Sequence, residues 1–166
     1  MVNGVDSLKK IVIKYSDMIY RIAVRRLKNK EDAKDIVQEV LMKYISAIYK
    51  GKEFETEDNA KYWMIRVAIN ACNSQARKLK LKKLLKMELN TISMVDTTNE
   101  SIIEMMSILS PKYREVFELH YIEDLKVSDV SKILNISEAS VKQRLKRARD
   151  MIKEYKEKED KIYEQI

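Results

Sequence analysis

The composition of this chain restricts its fold class before any motif is considered. Its 166 residues are 45% hydrophobic and 36% charged, yet they include two glycines and one proline. A β-sandwich needs many turns and a dinucleotide-binding fold needs glycine-rich loops, so both are disfavoured and an all-α protein is expected. The net charge of +7 favours a polyanionic partner, with nucleic acid as the first candidate, although a basic surface could also serve solubility alone.

Cysteine content and the N-terminal segment bear on localisation. The single cysteine, Cys72, cannot form an intramolecular disulfide, which suits a reducing cytoplasm. The segment 1–10 lacks the apolar core of a signal peptide, and no window approaches the ~20 apolar residues of a membrane helix. We therefore expect a cytoplasmic protein.

Amphipathic spacing predicts two helices in the first part of the chain, over 8–28 and 30–49. Asn29 followed by Asp32 predicts an N-cap and an acidic first turn for the second helix. The predicted core stripe of that helix is Ala33, Ile36, Val37, Val40, Leu41, Tyr44, Ile45 and Ile48. Its outer surface carries four residues at i, i+3, i+4 and i+7 spacing, namely Asp35, Gln38, Glu39 and Met42.

A loop and a third helix follow. Gly51 and the polar stretch 52–59 predict the loop, and helical periodicity returns from Ala60 to about Leu85. The apolar side of this helix includes Trp63, Val67 and Ala71. The other side carries Lys61, Arg66, Asn70, Asn73 and Arg77. We expect the basic run 78–86 to extend the helix, and the polar stretch after it marks a domain boundary.

The last third of the chain predicts a helix-turn-helix. Ser110-Pro111 predicts a helix start, and 125–134 contains a short helix that Asn135 ends. Ser137 is expected to cap a long basic helix from about Glu138. Six residues face inward in this scheme, namely Val130, Ile133, Leu134, Val141, Leu145 and Ala148.

The outer face of the long helix has the residue types that read DNA bases. It carries Lys142, Gln143, Lys146 and Arg147, with Arg144 and Arg149 on its flanks. Arginine and lysine can donate to guanine and glutamine can pair with adenine, while the cations also reach phosphates. A solvated basic helix is the alternative interpretation, and the predicted turn and cap weigh against it.

The segment 109–149 resembles region 4 of a sigma factor, the domain that reads the −35 promoter element. The family pattern L-P-x-x-x-R-x-V-F is matched at Leu109, Arg114 and 116–117, and its V-K-x-R-L-x-R-A-R block at 141–149. The resemblance assigns −35 contacts to Ser140, Lys142, Gln143, Arg144, Lys146 and Arg147.

Five positions depart from that pattern without threatening the fold. Pro111 falls one place later than the family's proline, Asp129 replaces glutamate, Ser131 replaces alanine, and Asn135 replaces the glycine of the turn. Lys126 replaces a capping serine, so Ser128 is a second candidate for the cap of the first helix of the motif.

The N-terminal half resembles sigma region 2. The D-A-x-D-x-V-Q-E core of region 2.2 recurs within 29–44, and 63–70 resembles regions 2.3 and 2.4, which melt and capture the −10 element. The resemblance implies contacts to the polymerase β′ clamp by Asp35, Gln38, Glu39 and Met42. It likewise implies that the −10 element is contacted by Arg66, Asn70, Asn73 and Arg77. It also implies that the loop 50–59 forms a pocket for a flipped base. Trp63 is expected to be a core anchor rather than a stacking platform.

The whole pattern resembles the extracytoplasmic-function group of sigma factors, with two small helical domains and a flexible linker. We assign 1–86 to region 2, 87–100 to the linker and 101–166 to region 4. The resemblance implies core RNA polymerase as partner, through its β′ clamp and β flap, together with promoter DNA. It also implies an anti-sigma factor, which can be tethered to the membrane.

Two other functions stay open from the residues alone. One is a stand-alone helix-turn-helix regulator, and the other is a basic helical module that meets an acidic protein or an anionic membrane. The D-x-x-Q-E and W-x-x-x-x-A-x-N motifs argue against the first, and the clustered base-reading residues argue against the second. We expect no enzyme activity, cofactor or small-molecule substrate, and no metal site, because His120 has no histidine or cysteine companion.

Overall fold

The chain folds into two compact helical units, Met1–Asp96 and Thr97–Ile166. The computed structural model describes residues 5–86 and 100–163, and no strand occurs among them. The first unit is built from α1 (Val5–Leu27), α2 (Lys30–Tyr49) and α3 (Glu57–Lys86). The second unit contains α4 (Glu100–Ser107), α5 (Pro111–Phe117), a π-helical turn (Glu118–Ile122), α6 (Val127–Leu134) and α7 (Glu138–Tyr163). The predicted all-α class is confirmed.

The predicted linker over 87–100 lies outside the described residues, apart from Glu100, at which α4 begins. The basic run before it extends α3 to Lys86, as predicted. Among the described helices, none is long and apolar enough to cross a membrane.

The core of the first unit lies between α1, α2 and α3. Three- and four-residue spacing puts one apolar stripe of each helix inside. The stripe of α2 consists of Ala33, Ile36, Val40 and Tyr44, none more than 4% exposed. Tyr44 also forms an aromatic cluster with Phe54 and Trp63, with ring centroids 5.6 Å and 6.2 Å from its own. The cluster ties the loop after α2 to both α2 and α3.

Among the predicted core residues of α2, the prediction is wrong for Ile45, because its side chain is 37% exposed. Consecutive residues of a helix point about 100° apart, so Ile45 turns away from the core when Tyr44 faces it. The other predicted members, Val37, Leu41 and Ile48, are half-buried.

The capping residues determine where two helices begin. Asn29 accepts hydrogen bonds from the backbone N–H groups of Glu31 and Asp32 at 2.9 and 3.0 Å, so α2 begins as predicted. The third helix begins three residues earlier than the predicted Ala60, because Thr56 Oγ1 accepts from the backbone N–H of Asn59 at 3.2 Å. Thr56 before an acidic pair is a capping signal that our sequence interpretation overlooked.

In the second unit, Arg114 joins α5 to the end of α4. Its Nε donates to the carbonyl of Met106 at 2.8 Å, and Nη2 donates to the carbonyl of Leu109 at 3.0 Å. The last carbonyls of a helix lack partners within that helix, so a guanidinium stabilises this end. Ser110 takes the N-cap position of α5 as predicted, but its hydroxyl makes no capping hydrogen bond. His120 lies in the π-helical turn that follows α5.

Candidate nucleic-acid interface

The helix-turn-helix consists of α6, a tight turn and the first part of α7. Asn135 has the left-handed conformation (φ 53°, ψ 50°) that the sequence predicted for the turn. Ser137 Oγ then accepts from the backbone N–H of Ser140 at 3.1 Å and caps α7. The first helix begins at Val127 with Lys126 at its N-cap position, so the alternative cap at Ser128 is wrong.

The packing of the two helices fixes which face of α7 is outside. Five predicted inward residues are buried, namely Val130, Ile133, Val141, Leu145 and Ala148, and Leu134 is half-buried. The predicted outer residues Lys142, Gln143, Lys146 and Arg147 are all exposed, and Arg144 is half-buried beside them. Ser140 is half-buried, and its hydroxyl accepts a hydrogen bond from Ser137 Oγ at 2.9 Å. The side chain of Ser140 therefore contributes to the cap of α7.

The outer face of α2 is a second candidate surface. Asp35, Gln38, Glu39 and Met42 are all exposed, and the Met42 side chain is 71% exposed. Glu39 accepts a 2.6 Å hydrogen bond from Lys43 one turn along the helix. Two apolar residues that were not predicted to lie on this face, Ile45 and Tyr49, continue it, and Tyr49 is 80% exposed. We call the six residues 35, 38, 39, 42, 45 and 49 the α2 stripe.

The third candidate surface lies on α3. Arg66, Asn70, Asn73 and Arg77 are exposed, and their i, i+4, i+7 and i+11 spacing places them on one face. The opposite side of α3 is buried through Met64, Ile65, Ala68, Ile69 and Cys72. Cys72 is 1% exposed and packs in the core of the first unit. Trp63 is half-buried against the core, as predicted for an anchor.

The loop between α2 and α3 is shorter than predicted, because 57–59 belong to α3. Phe54 is buried in it, and Lys52 Nζ lies 5.5 Å from the Phe54 ring centroid and 6.0 Å from that of Trp63. A cation over aromatic rings is attracted to their negative faces, so Lys52 covers the aromatic cluster. The flipped-base pocket predicted for this loop stays a prediction.

Two hydrogen bonds connect the start of α3 to α1. Glu57 Oε1 accepts from Lys14 Nζ at 2.6 Å and from the Tyr15 hydroxyl at 2.5 Å. The hydrogen bond from Lys14, followed by that from Tyr15, lowers the pKa of the Glu57 carboxyl. Burial, followed by the hydrogen bond to Glu57, raises the pKa of the Tyr15 phenol. This clasp is defined by Lys14, Tyr15 and Glu57, and it fixes the end of the loop.

The described residues contain no cluster of histidine, cysteine, aspartate and glutamate that could hold a metal ion. The His120 ring instead has Nδ1 2.8 Å from the carbonyl oxygen of Leu125. This contact links the π-helical turn to the segment before α6.

The fold and these surfaces define a helical protein of two units, one of which contains a helix-turn-helix with an exposed basic face. Two family models match it: "Sigma-70 region 2" over residues 11–81 and "Sigma-70, region 4" over residues 99–152. The chain belongs to the extracytoplasmic-function subfamily of the sigma-70 family. Members of the family are non-catalytic transcription initiation factors, and this chain is a sigma factor that directs RNA polymerase to promoters.

Relatives of similar length support this membership. The RNA polymerase sigma factor SigV of Bacillus subtilis is 30% identical, over 85% of this chain and 86% of the relative. The ECF RNA polymerase sigma factor SigW of the same organism is 28% identical, over 89% of this chain and 88% of the relative.

Solved structures share the fold. The sigma factor RpoE, in complex with the anti-sigma factor NepR from Bartonella quintana, matches with a TM-score of 0.72 at 20% identity, over 90% of this chain and 96% of that one. CnrH, in complex with the cytosolic domain of CnrY, matches with a TM-score of 0.65 at 17% identity, over 93% of this chain and 90% of that one.

Proposed function

We propose that each of the three surfaces performs one step of initiation, and that the chain does so in the cytoplasm. The α2 stripe docks on the β′ clamp of core RNA polymerase, the α3 face captures the −10 element and α7 reads the −35 element. The observation that carries the proposal is the exposed basic face of α7 on a capped and correctly packed helix-turn-helix. The domain assignment 1–86, 87–100 and 101–166 is part of the same proposal.

The composition and spacing of the α2 stripe suit a helical partner. Exposed apolar side chains that adjoin one another mark interaction sites, and here Met42 and Tyr49 are 71% and 80% exposed. Positions 35, 38, 42, 45 and 49 alternate by three and four residues, which is the spacing with which one helix packs along a coiled coil. The charged residues Asp35 and Glu39 at one end of the stripe can fix the orientation of the partner helix. The apolar residues at the other end provide surface that becomes buried on binding.

Charge reversal on the α2 stripe tests the docking. We expect Asp35→Lys with Glu39→Lys to abolish binding to core RNA polymerase in a pull-down, and with it run-off transcription, while helicity is unchanged. The matched control is Glu154→Lys with Glu157→Lys, which makes the same two reversals at exposed positions of α7. Normal core binding by the Asp35 and Glu39 variant would remove the polymerase assignment from α2.

The α3 face has the groups needed to hold a melted strand. Pulling a base from the stack costs a few kcal/mol, which protein contacts must offset. Asn70 and Asn73 can hydrogen-bond unstacked bases, and Arg66 and Arg77 can hold phosphates on either side. We expect Asn70→Ala with Asn73→Ala to bind core polymerase normally and to lose run-off transcript. An unchanged transcript yield would contradict the assignment.

The α7 face is proposed to enter the major groove at the −35 element. A base-reading contact contributes ~1–3 kcal/mol of discrimination. We expect Arg147→Ala to relax preference at one or two base pairs, measured by competition among single-base promoter variants. A phosphate contact instead weakens all sequences alike. If alanine at every exposed position of this face had that uniform effect, α7 would position the protein without reading sequence.

An anti-sigma factor is proposed as the regulator. RpoE and CnrH, which share this fold, were solved in complexes with an anti-sigma factor and with the cytosolic domain of CnrY. An inhibitor that covers the α2 stripe would compete directly with core polymerase. The neighbouring genes are the first place to seek it, as a membrane protein with a small cytoplasmic domain. A candidate that binds the chain and core polymerase together without competition would not be this inhibitor.

A further inference from the structure

A groove of about 540 Å³ lies between α5 and the proposed recognition face of α7. One wall comes from the first turn of α5, through Lys112 and Tyr113. The other comes from α7, through Gln143, Arg144, Lys146, Arg147 and Asp150. No sequence motif assigns a role to the two α5 residues or to Asp150. Lys112 and Tyr113 lie next to α7 only because α5 packs against it.

The charge of the groove selects an anion. Four cationic side chains line it, against the single carboxylate of Asp150, namely Lys112, Arg144, Lys146 and Arg147. The Nζ of Lys112 lies 4.9 Å from the centroid of the Tyr113 ring, which is the geometry of a cation–π contact. Stacking on the ring holds a flexible lysine at the mouth of the groove, and the Tyr113 hydroxyl adds a hydrogen-bond donor.

The position of the groove selects DNA phosphate among anions. An α-helix with its side chains is about 10–12 Å across, and the major groove of B-DNA is about 12 Å wide. A helix in the major groove has a sugar-phosphate backbone along each side. An element that packs against the side of that helix therefore lies next to the phosphates and not next to the bases. The groove shares Gln143, Lys146 and Arg147 with the proposed base-reading face, and α5 forms the opposite wall.

We infer that Lys112 and Tyr113 on α5, together with Arg144 on α7, form a phosphate-binding site for the DNA strand that flanks the recognition helix. The inference rests on the proposed −35 role of α7 and extends that interface to an element outside the helix-turn-helix. The site adds affinity and fixes the orientation of α7, and it carries no base preference.

Salt titration of DNA binding tests the site without knowledge of the promoter. The observed affinity falls with log salt by a slope of ~0.9 for each phosphate that a protein neutralises. The full-length chain is measured by fluorescence anisotropy against duplexes of several unrelated sequences. We expect Lys112→Ala to reduce the slope by ~0.9 and to weaken every duplex alike. Tyr113→Phe, which keeps the ring beneath Lys112 but removes the hydroxyl, should weaken binding without changing the slope.

Two further variants guard against misfolding and general charge effects. Lys156→Ala removes the same charge from an exposed position further along α7, and we expect no change in slope. Asp150→Asn removes the carboxylate that opposes phosphate in the groove, so it should tighten binding. A gain of affinity cannot result from a damaged fold.

The outcomes separate this inference from the proposed −35 role. If Arg147→Ala weakens binding while Lys112→Ala leaves both slope and affinity unchanged, the phosphate site is wrong and an acidic protein segment becomes the better occupant. If Arg147→Ala also has no effect, the −35 role of α7 fails and the phosphate site fails with it. A uniform loss from Lys112→Ala, with Lys156→Ala unchanged, supports the site.

Discussion

At the scale of single residues, Arg114 shows why a motif position can be structural. The family pattern places arginine there, and the side chain reaches the carbonyls of Met106 and Leu109 through separate nitrogens. A lysine has one donor group at the end of a flexible stem and cannot reproduce that fork. Arg114 therefore holds α4 against α5, and this structural role accounts for an arginine at that position of the motif without any DNA contact.

The clasp of Lys14, Tyr15 and Glu57 carries a prediction at the same scale. We expect Glu57→Gln to lower the thermal midpoint of the first unit at neutral pH, because both hydrogen bonds lose a charged acceptor. The pKa of Glu57 is lowered in the folded state, so its stabilisation is present above the ordinary glutamate value of 4.5. It is lost as the pH falls through the folded-state pKa.

Circular dichroism melts at a series of pH values measure this effect. The difference in midpoint between wild type and Glu57→Gln should narrow and close on acidification. Glu55→Gln, at an exposed position of the adjoining loop, is the control and should match wild type throughout. A difference that persists unchanged at acid pH would show that the charge of Glu57 is not its source.

At the scale of elements, the turn between α6 and α7 depends on one residue. Asn135 holds φ at 53°, a conformation that costs most non-glycine residues about 1–2 kcal/mol. We expect Asn135→Ala to lower the free energy of unfolding of the second unit by about 1 kcal/mol, because alanine lacks the local hydrogen bonding that helps asparagine there. The free energy of unfolding of Asn135→Gly, which introduces the family's usual residue, should stay within about 0.5 kcal/mol of wild type. Glycine adopts a positive φ without strain, and this gain offsets its greater conformational entropy in the unfolded chain.

Urea unfolding followed by circular dichroism measures both variants. Lys132→Ala, on the exposed side of α6, controls for loss of a side chain near the turn. Equal stability of Asn135→Ala and Asn135→Gly would mean that the left-handed turn does not limit the motif.

At the scale of the whole molecule, the prediction concerns the segment between the units. The sequence over 87–100 is polar and carries no strong helix or strand signal, which predicts a flexible connection. Apart from Glu100, it lies outside the described residues. We expect the isolated protein to bind a duplex promoter no more tightly than unrelated duplexes, since polymerase must set the distance between the −10 and −35 surfaces. Solution scattering paired with promoter binding in the absence of polymerase measures this. One rigid extended particle that binds the promoter tightly would contradict it.

The sequence by itself determined the features that depend on near neighbours along the chain. The bounds of α2, the Asn29 cap, the left-handed Asn135 and the inward residues of the helix-turn-helix were all predicted and are confirmed. Capping and helical periodicity act over three or four residues, so a linear pattern contains them. The same locality explains why the exposed base-reading types on α7 could be selected before any tertiary structure was known.

The tertiary structure decided what depends on residues far apart in the chain. Ile45 was predicted to be buried because helical periodicity gives the direction of the apolar face of α2 but not its width. Only the packing of α1 and α3 against α2 determined which residues at the edge of that face are buried. Glu57 meets Tyr15 across 42 positions, and Lys112 reaches the groove beside Arg147 only after α5 packs on α7. Periodicity specifies the direction in which a side chain points around its own helix. Which residues of two helices come into contact depends on how the surfaces of the two helices pack together.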